Sequence, residues 1–260
     1  ERDDVFASVC YCPIIDLDHA DMAYEWLFRQ TDSRQALDDL HKGYTKELAA
    51  MFPDYLKSLN LHKPDGTPLT ADNYLDFIKS ELIRAAQIAK NAGADIPDSL
   101  GFTFSSSAGG MFAAPINGGQ RPQMQGGQHP QGMRPMRGGR KQVGEYITDL
   151  DMQKYLNYVV TTQALKGVPA FDSQIDGVNN ASGENEEFGN ESGNSVNFTD
   201  YTAQKNGTSV SDAIRQNVRL MNPMSFIGDG MTSIAPHWYI RHGARDRDTA
   251  FPVPVNFATK

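Results

Sequence analysis

The run His237-Trp238-Tyr239-Ile240-Arg241-His242-Gly243-Ala244-Arg245-Asp246-Arg247-Asp248-Thr249 sets the reading of this chain. Its first five residues are β-friendly, and a glycine stops the strand before a short loop crowded with charge. A second β-leaning stretch, Val5 to Ile15, stands near the other end of the sequence. It is apolar without clean alternation, as expected of a strand buried on both faces of a parallel sheet. Between the two, most segments read as helix or loop. A parallel strand pair joined by far more than one crossover helix predicts an α/β core carrying a large, mainly helical inserted domain. The expected parts are a core strand over 1–15, an inserted domain over 16–222, and a return to the core over 223–260.

Working outward, apolar residues recur at helical spacing in several segments. Arg34 to Leu61 carries Leu37, Leu40, Tyr44, Leu48 and Met51. Thr70 is placed to cap a further helix with an apolar stripe through Tyr74, Phe77, Ile78, Leu82 and Ala86, ending near Gly93. Asp149 to Leu165 reads as helical. Ser211 opens a helix that Asn222-Pro223 stops. Phe251 to Thr259 begins another despite its prolines, and Pro64-Asp65-Gly66-Thr67-Pro68 is a turn. Residues 105–141 differ in kind, being rich in Gly, Gln, Pro, Met and Ser, and read as a mobile loop. Their likeness to arginine-glycine RNA-binding segments is one of composition only, with no aromatic platform beside it.

Composition narrows the function. With 39% hydrophobic and 10% aromatic residues the chain can form a core, and a net charge of −8 argues against a dedicated nucleic-acid binder. No stretch approaches the about 20 apolar residues of a membrane span. The only cysteines, Cys10 and Cys12, are expected on one face of the first strand as small buried hydrophobes. The first residues do not look like a natural start, and both ends read as cut within core elements. Compartment therefore stays open between cytoplasmic and exported.

An acid just beyond a strand end is where a triad carboxylate belongs, because catalytic groups of open α/β sheets gather at the carboxyl ends of strands. At this point several blocks, in order, resemble the bacterial tannases and their feruloyl-esterase-like relatives, a family of α/β-hydrolases. Ile240 to Thr249 resembles the family's aspartate segment. Cys12-Pro13-Ile14-Ile15-Asp16-Leu17-Asp18-His19-Ala20-Asp21 is similar to the strand and lid entry that follow its nucleophile elbow. Lys166-Gly167-Val168-Pro169-Ala170-Phe171-Asp172, Ser182-Gly183-Glu184-Asn185 and Phe188-Gly189 resemble its lid, and Leu220 to Met224 precedes the second strand as in that family. Residues 100–145 have no counterpart.

The resemblance implies an α/β-hydrolase core fragment with two core strands and an inserted lid. It also implies hydrolysis of galloyl or related phenolic esters by a Ser-His-Asp mechanism, without a cofactor. Asp246 would be the triad acid and Asp248 would accept a hydrogen bond from a galloyl hydroxyl. Lys166 and Glu184 would contact the other ring hydroxyls, and Ile14 would pack on the ring. Glu186 or Glu187 takes the place of Glu184 if the loop shifts.

The chain lacks Gly-x-Ser-x-Gly; Ser105-Ser106-Ser107-Ala108-Gly109-Gly110 only mimics its tail, and no histidine after Asp246 suits the base. The partners expected are therefore a small phenolic ester and missing flanking parts of the same hydrolase, with the isolated chain inactive. The alternatives are a feruloyl or short-chain carboxylesterase and a non-catalytic polyphenol-binding or degenerate hydrolase.

Two metal readings are weaker. Asp16, Asp18, His19 and Asp21 are expected to serve as a helix cap and hinge rather than as a metal cluster. Asp172-x-Gln174-x-Asp176-Gly177 approaches a calcium loop, but its glutamate falls one residue late. No metal is therefore assigned.

Overall fold

The computed structural model describes residues 5–106, 145–189 and 193–260. Most of the segment read as a Gly/Gln/Pro/Met-rich loop, with Ser107, lies outside the described residues. In chain order the elements are β1 (Ala7–Tyr11), α1 (Leu17–Phe28), α2 (Asp32–Gln35), α3 (Asp39–Leu59), α4 (Ala71–Asn91), β2 (Phe102–Ser106), β3 (Glu145–Leu150), α5 (Met152–Thr162), α6 (Gly183–Glu187), α7 (Asp200–Lys205), α8 (Asp212–Met221), β4 (His237–Arg241) and α9 (Pro252–Thr259).

β1 and β4 pair in parallel, from Ala7 opposite His237 to Tyr11 opposite Arg241. The predicted parallel pair forms, but not as a strand buried on both faces. Val9, Tyr11 and Tyr239 are exposed, and β1 is only five residues long. Among the described residues no third strand joins this sheet and no helix seals its two faces. Cys12 also departs from expectation: β1 ends at Tyr11, and Cys12 turns out with φ +47° and is exposed.

The core is helical and centres on α1. Its residues Ala20, Ala23, Tyr24, Leu27 and Phe28 are almost wholly enclosed. Trp26 of α1, Phe52 of α3 and Tyr74 of α4 meet as an aromatic cluster with ring centroids 4.9–5.8 Å apart. One hydrophobic cluster runs on from these to Phe251 and Phe257 at α9.

The predicted helix over 34–61 is two helices. Asp38 interrupts it by accepting the His41 N–H at 2.9 Å as the cap of α3. Thr70 and Asn73 form the capping box of α4, and Gly93 follows that helix at φ +92°. The helix expected from Asp149 starts only at Met152, because residues 145–150 are strand β3. β3 pairs antiparallel with β2, so both borders of the low-complexity segment are sheet.

Candidate active site

The loop after β4 is fixed from three sides. The Tyr155 hydroxyl of α5 donates to the Ala244 carbonyl, and the Tyr24 hydroxyl of α1 donates to the Arg247 carbonyl at 2.6 Å. His242 Nε2 lies 3.1 Å from the Thr249 carbonyl. Within the loop, Asp246 folds back on itself. Its Oδ1 accepts the N–H groups of Asp248 at 2.8 Å and Thr249 at 3.3 Å. Its Oδ2 takes no hydrogen bond from the described residues and lies 3.9 Å from His242 Nε2. Asp246 is thus a partly buried carboxylate with one oxygen held and one to spare. His242 sits against it but donates elsewhere, and burial pulls its pKa below the ordinary value, against the charge of Asp246.

Asp248 is exposed and paired with Arg247, whose own side chain is buried. Residues Gly243 to Asp248 and Gln163 line an open concavity of about 440 Å³. Lys166 and Glu184, 18 residues apart in sequence, meet with Nζ 3.2 Å from Oε1. Lys166 Nζ also sits 4.0 Å above the centre of the Phe171 ring. A second concavity of about 330 Å³ lies over this pair, bordered by Pro169, Ala170 and Ser173. Glu186 and Glu187 point to solvent, so it is Glu184 that reaches Lys166. Ile14 leaves an apolar side chain 57% exposed just beyond the end of β1.

One residue ties the two concavities together. The Tyr24 hydroxyl that donates to Arg247 also accepts the Lys166 N–H at 3.2 Å. Arg34 braces the same place. Its guanidinium pairs with the buried Glu25 carboxylate at 2.6 and 2.9 Å and donates to the carbonyls of Lys166 at 3.0 Å and Gly167 at 3.2 Å. Sequence reading missed these three. Tyr24 looks like any core aromatic, although a lone glutamate inside the apolar run Met22–Phe28 was a usable sign of a buried pair.

The acidic clusters behave differently from expectation. Asp16 occupies the cap position of α1 at φ +57° but does not cap it. Its oxygens instead take the Tyr55 hydroxyl, Asn222 Nδ2 at 2.8 Å and His19 Nδ1 at 2.8 Å. His19 stacks on Tyr55 at 3.7 Å. Burial alone would lower its pKa, but hydrogen bonds and charge from Asp16 and Asp18 outweigh that and push it up to about 9. The cluster is an internally satisfied ion network.

Asp21 is no part of it. Its carboxylate accepts the N–H groups of Ala170, Phe171 and Asp172 at 2.7–3.1 Å. Asp172 is no calcium ligand either. It is wholly buried, and its oxygens take Asn185, Asn197, two backbone N–H groups and the hydroxyls of Thr199 and Thr202. The Asp-x-Gln-x-Asp-Gly pattern is a loop knotted by its first aspartate.

No family model matches the sequence, and no curated protein matches it. Solved structures do. A tannin acyl hydrolase in complex with ethyl gallate superposes with a TM-score of 0.71 at 30% identity, over 99% of this chain and 49% of that one. In structure the chain is similar to the bacterial tannases. Tannase from Lactobacillus plantarum matches equally, at TM-score 0.71 and 30% identity over 99% of this chain and 51% of its own. Fusobacterium nucleatum tannase, at 24% identity, shares the fold at TM-score 0.70 over 99% of this chain and 52% of its own. The present chain therefore spans about half the length of the tannases it matches.

Proposed function

We propose that this chain is the acid-and-lid part of a tannase-like serine esterase that hydrolyses galloyl or related phenolic esters. The observation that carries the reading is the structural match to tannases along 99% of the chain, one of them in complex with ethyl gallate. In this reading 1–15 and 223–260 belong to the α/β-hydrolase core and 16–222 is the lid. Asp246 is the triad acid: Oδ1 is anchored by the loop's own N–H groups, and the spare Oδ2 accepts Nδ1–H of the catalytic histidine. That contact fixes the imidazole tautomer and stabilises the imidazolium formed when the serine proton is taken. The serine and histidine come from the rest of a tannase-length protein.

Recognition of the acyl ring falls to the two concavities. Three neighbouring phenolic hydroxyls require convergent acceptors and a donor, which Asp248, Glu184 and Lys166 supply, and Ile14 offers the ring face an apolar wall. Support for this division lies in the Lys166–Glu184 contact and in the Tyr24 link from Lys166 to the Asp246 loop.

The test is methyl gallate hydrolysis by the full-length enzyme. Asp246→Ala should lower kcat by about 10⁴-fold, the loss associated with disabling the aspartate of serine protease triads. Unchanged turnover would remove Asp246 from the mechanism, and a preference for ferulate over gallate esters would move the enzyme to the feruloyl esterases.

A further inference from the structure

The parallel pairing of β1 with β4 brings three groups of different chemistry to one spot. Cys12 follows β1, with its N–H donating to the Arg241 carbonyl at 2.6 Å, and its left-handed backbone takes the side chain out of the strand's alternation. His242 follows β4 directly. Gly243 then turns the chain back, so that the Asp246 N–H reaches the Gly243 carbonyl at 3.0 Å. A Cβ on that glycine would sit in ordinary van der Waals contact with the Asp246 Cβ, at 3.4 Å, so the two positions are packed together. The result is that a sulfur of Cys12, a ring nitrogen of His242 and a carboxylate oxygen of Asp246 all lie within 4.8 Å of one another.

We infer that Cys12, His242 and Asp246 form a binding site for a divalent cation of the zinc class, and that the bound ion blocks ester hydrolysis by occupying Asp246. The second half rests on the proposed role of Asp246; the first does not.

The donors are available. Asp246 keeps Oδ2 free of hydrogen bonds from the described residues. The Cys12 thiol is exposed, which gives an ion its way in. The His242 ring is set edge-on against Phe251 at 5.7 Å, and its Nδ1 is buried with no partner. A neutral imidazole that gives one N–H to a carbonyl, here that of Thr249, keeps a lone pair on the other nitrogen. A backbone carbonyl on one ring nitrogen is also the usual brace of a metal-binding histidine.

The set of one sulfur, one nitrogen and one oxygen suits zinc; magnesium and calcium take oxygen ligands. Zinc bonds of about 2.0–2.3 Å place neighbouring tetrahedral ligands about 3.5 Å apart. The three donor groups, within 4.8 Å of one another, reach that spacing by small side-chain rotations. Three protein ligands leave a fourth position for water. An ion there takes the carboxylate oxygen that the triad histidine needs.

The deciding experiment titrates cobalt(II) into the full-length enzyme and follows the near-ultraviolet thiolate-to-cobalt band. Zinc retention after equilibrium dialysis and methyl gallate turnover are measured in parallel. The wild type should show the band, retain one zinc, lose turnover as zinc is added and regain it with a chelator. Cys12→Ser, at an exposed position, should lack the band, bind zinc about tenfold or more weakly, keep its zinc-free turnover and resist inhibition. No band in the wild type, or equal zinc retention in both proteins, overturns the site. A thiolate band with turnover untouched by zinc supports the site and overturns the role of Asp246. If gallate esters prove not to be substrates, the band and the dialysis still decide the metal question alone.

Discussion

Glu25 and Arg34 are both almost fully enclosed, so their pairing offsets a large desolvation cost. Burial pushes the Glu25 carboxyl up, and the Arg34 guanidinium pulls it back. Removing one partner strands the other, so Arg34→Ala should cost about 3–5 kcal/mol in chemical unfolding. The double variant Glu25→Gln, Arg34→Met should recover part of that loss. A different charge governs the pH response. His19 binds its proton up to about pH 9 in the fold, against an ordinary value near 6.5. Its contribution is full below pH 6.5 and disappears as pH rises through 9. Thermal melts should therefore show the wild-type Tm falling over that window, and His19→Gln should flatten the fall.

At the scale of elements, α1 and α5 decide where the Asp246 loop lies, because each sends a tyrosine hydroxyl to one of its carbonyls. Tyr24 also holds the Lys166 N–H, so this single helix sets the spacing between the two proposed halves of the substrate site. Tyr24→Phe keeps the ring packing against Phe28 and Phe171 and removes only the hydroxyl. It should cost about 1–3 kcal/mol, because a buried carbonyl and a buried N–H lose a shared partner. In steady-state kinetics KM for methyl gallate should rise through the loosened Lys166, and kcat should fall as well through the loosened Asp246 loop. A fall in kcat alone would place the effect on the acid loop instead.

Across the whole molecule the proposed ring-reading groups come from residues 14, 166, 184 and 248, and no two of them share an element. A site assembled this way should discriminate by hydroxyl count. Asp248→Ala should lower kcat/KM for methyl gallate by about 10–100-fold, the worth of a hydrogen bond to a charged group. Methyl benzoate, with no hydroxyl to read, should be turned over much as before. Equal losses on both esters would remove Asp248 as a hydroxyl reader. At the same scale the β1–β4 pair leaves Phe6, Val9, Tyr11 and Tyr239 exposed and keeps its outer edges unpaired among the described residues. Such a surface needs covering, in keeping with a chain that spans half of the tannases it matches.

Local rules determined much of this protein. The periodicity of Tyr74, Ile78, Leu82 and Ala86 fixed the buried face of α4, Thr70 and Ser211 marked helix starts, and Gly243 marked the end of a strand. The residues from Ile240 to Thr249 and from Lys166 to Asn185 were distinctive enough to point to tannases before any coordinates. What the sequence could not show depends on distant partners. The strands bordering the low-complexity segment were illegible because each pairs with a stretch some 40 residues away rather than with a near neighbour. Asp16 read as a cap because its actual donors, Tyr55 and Asn222, lie far along the chain, and Asp172 read only as an imperfect match to a calcium loop because Thr199, which encloses it, lies on the next loop. Lys166 meeting Glu184, Tyr24 joining Lys166 to Arg247, and Cys12 beside His242 and Asp246 were decided only by the tertiary structure. Local propensity is written in neighbouring residues, whereas a hydrogen bond or ligand set across the fold exists only once packing has closed the distance.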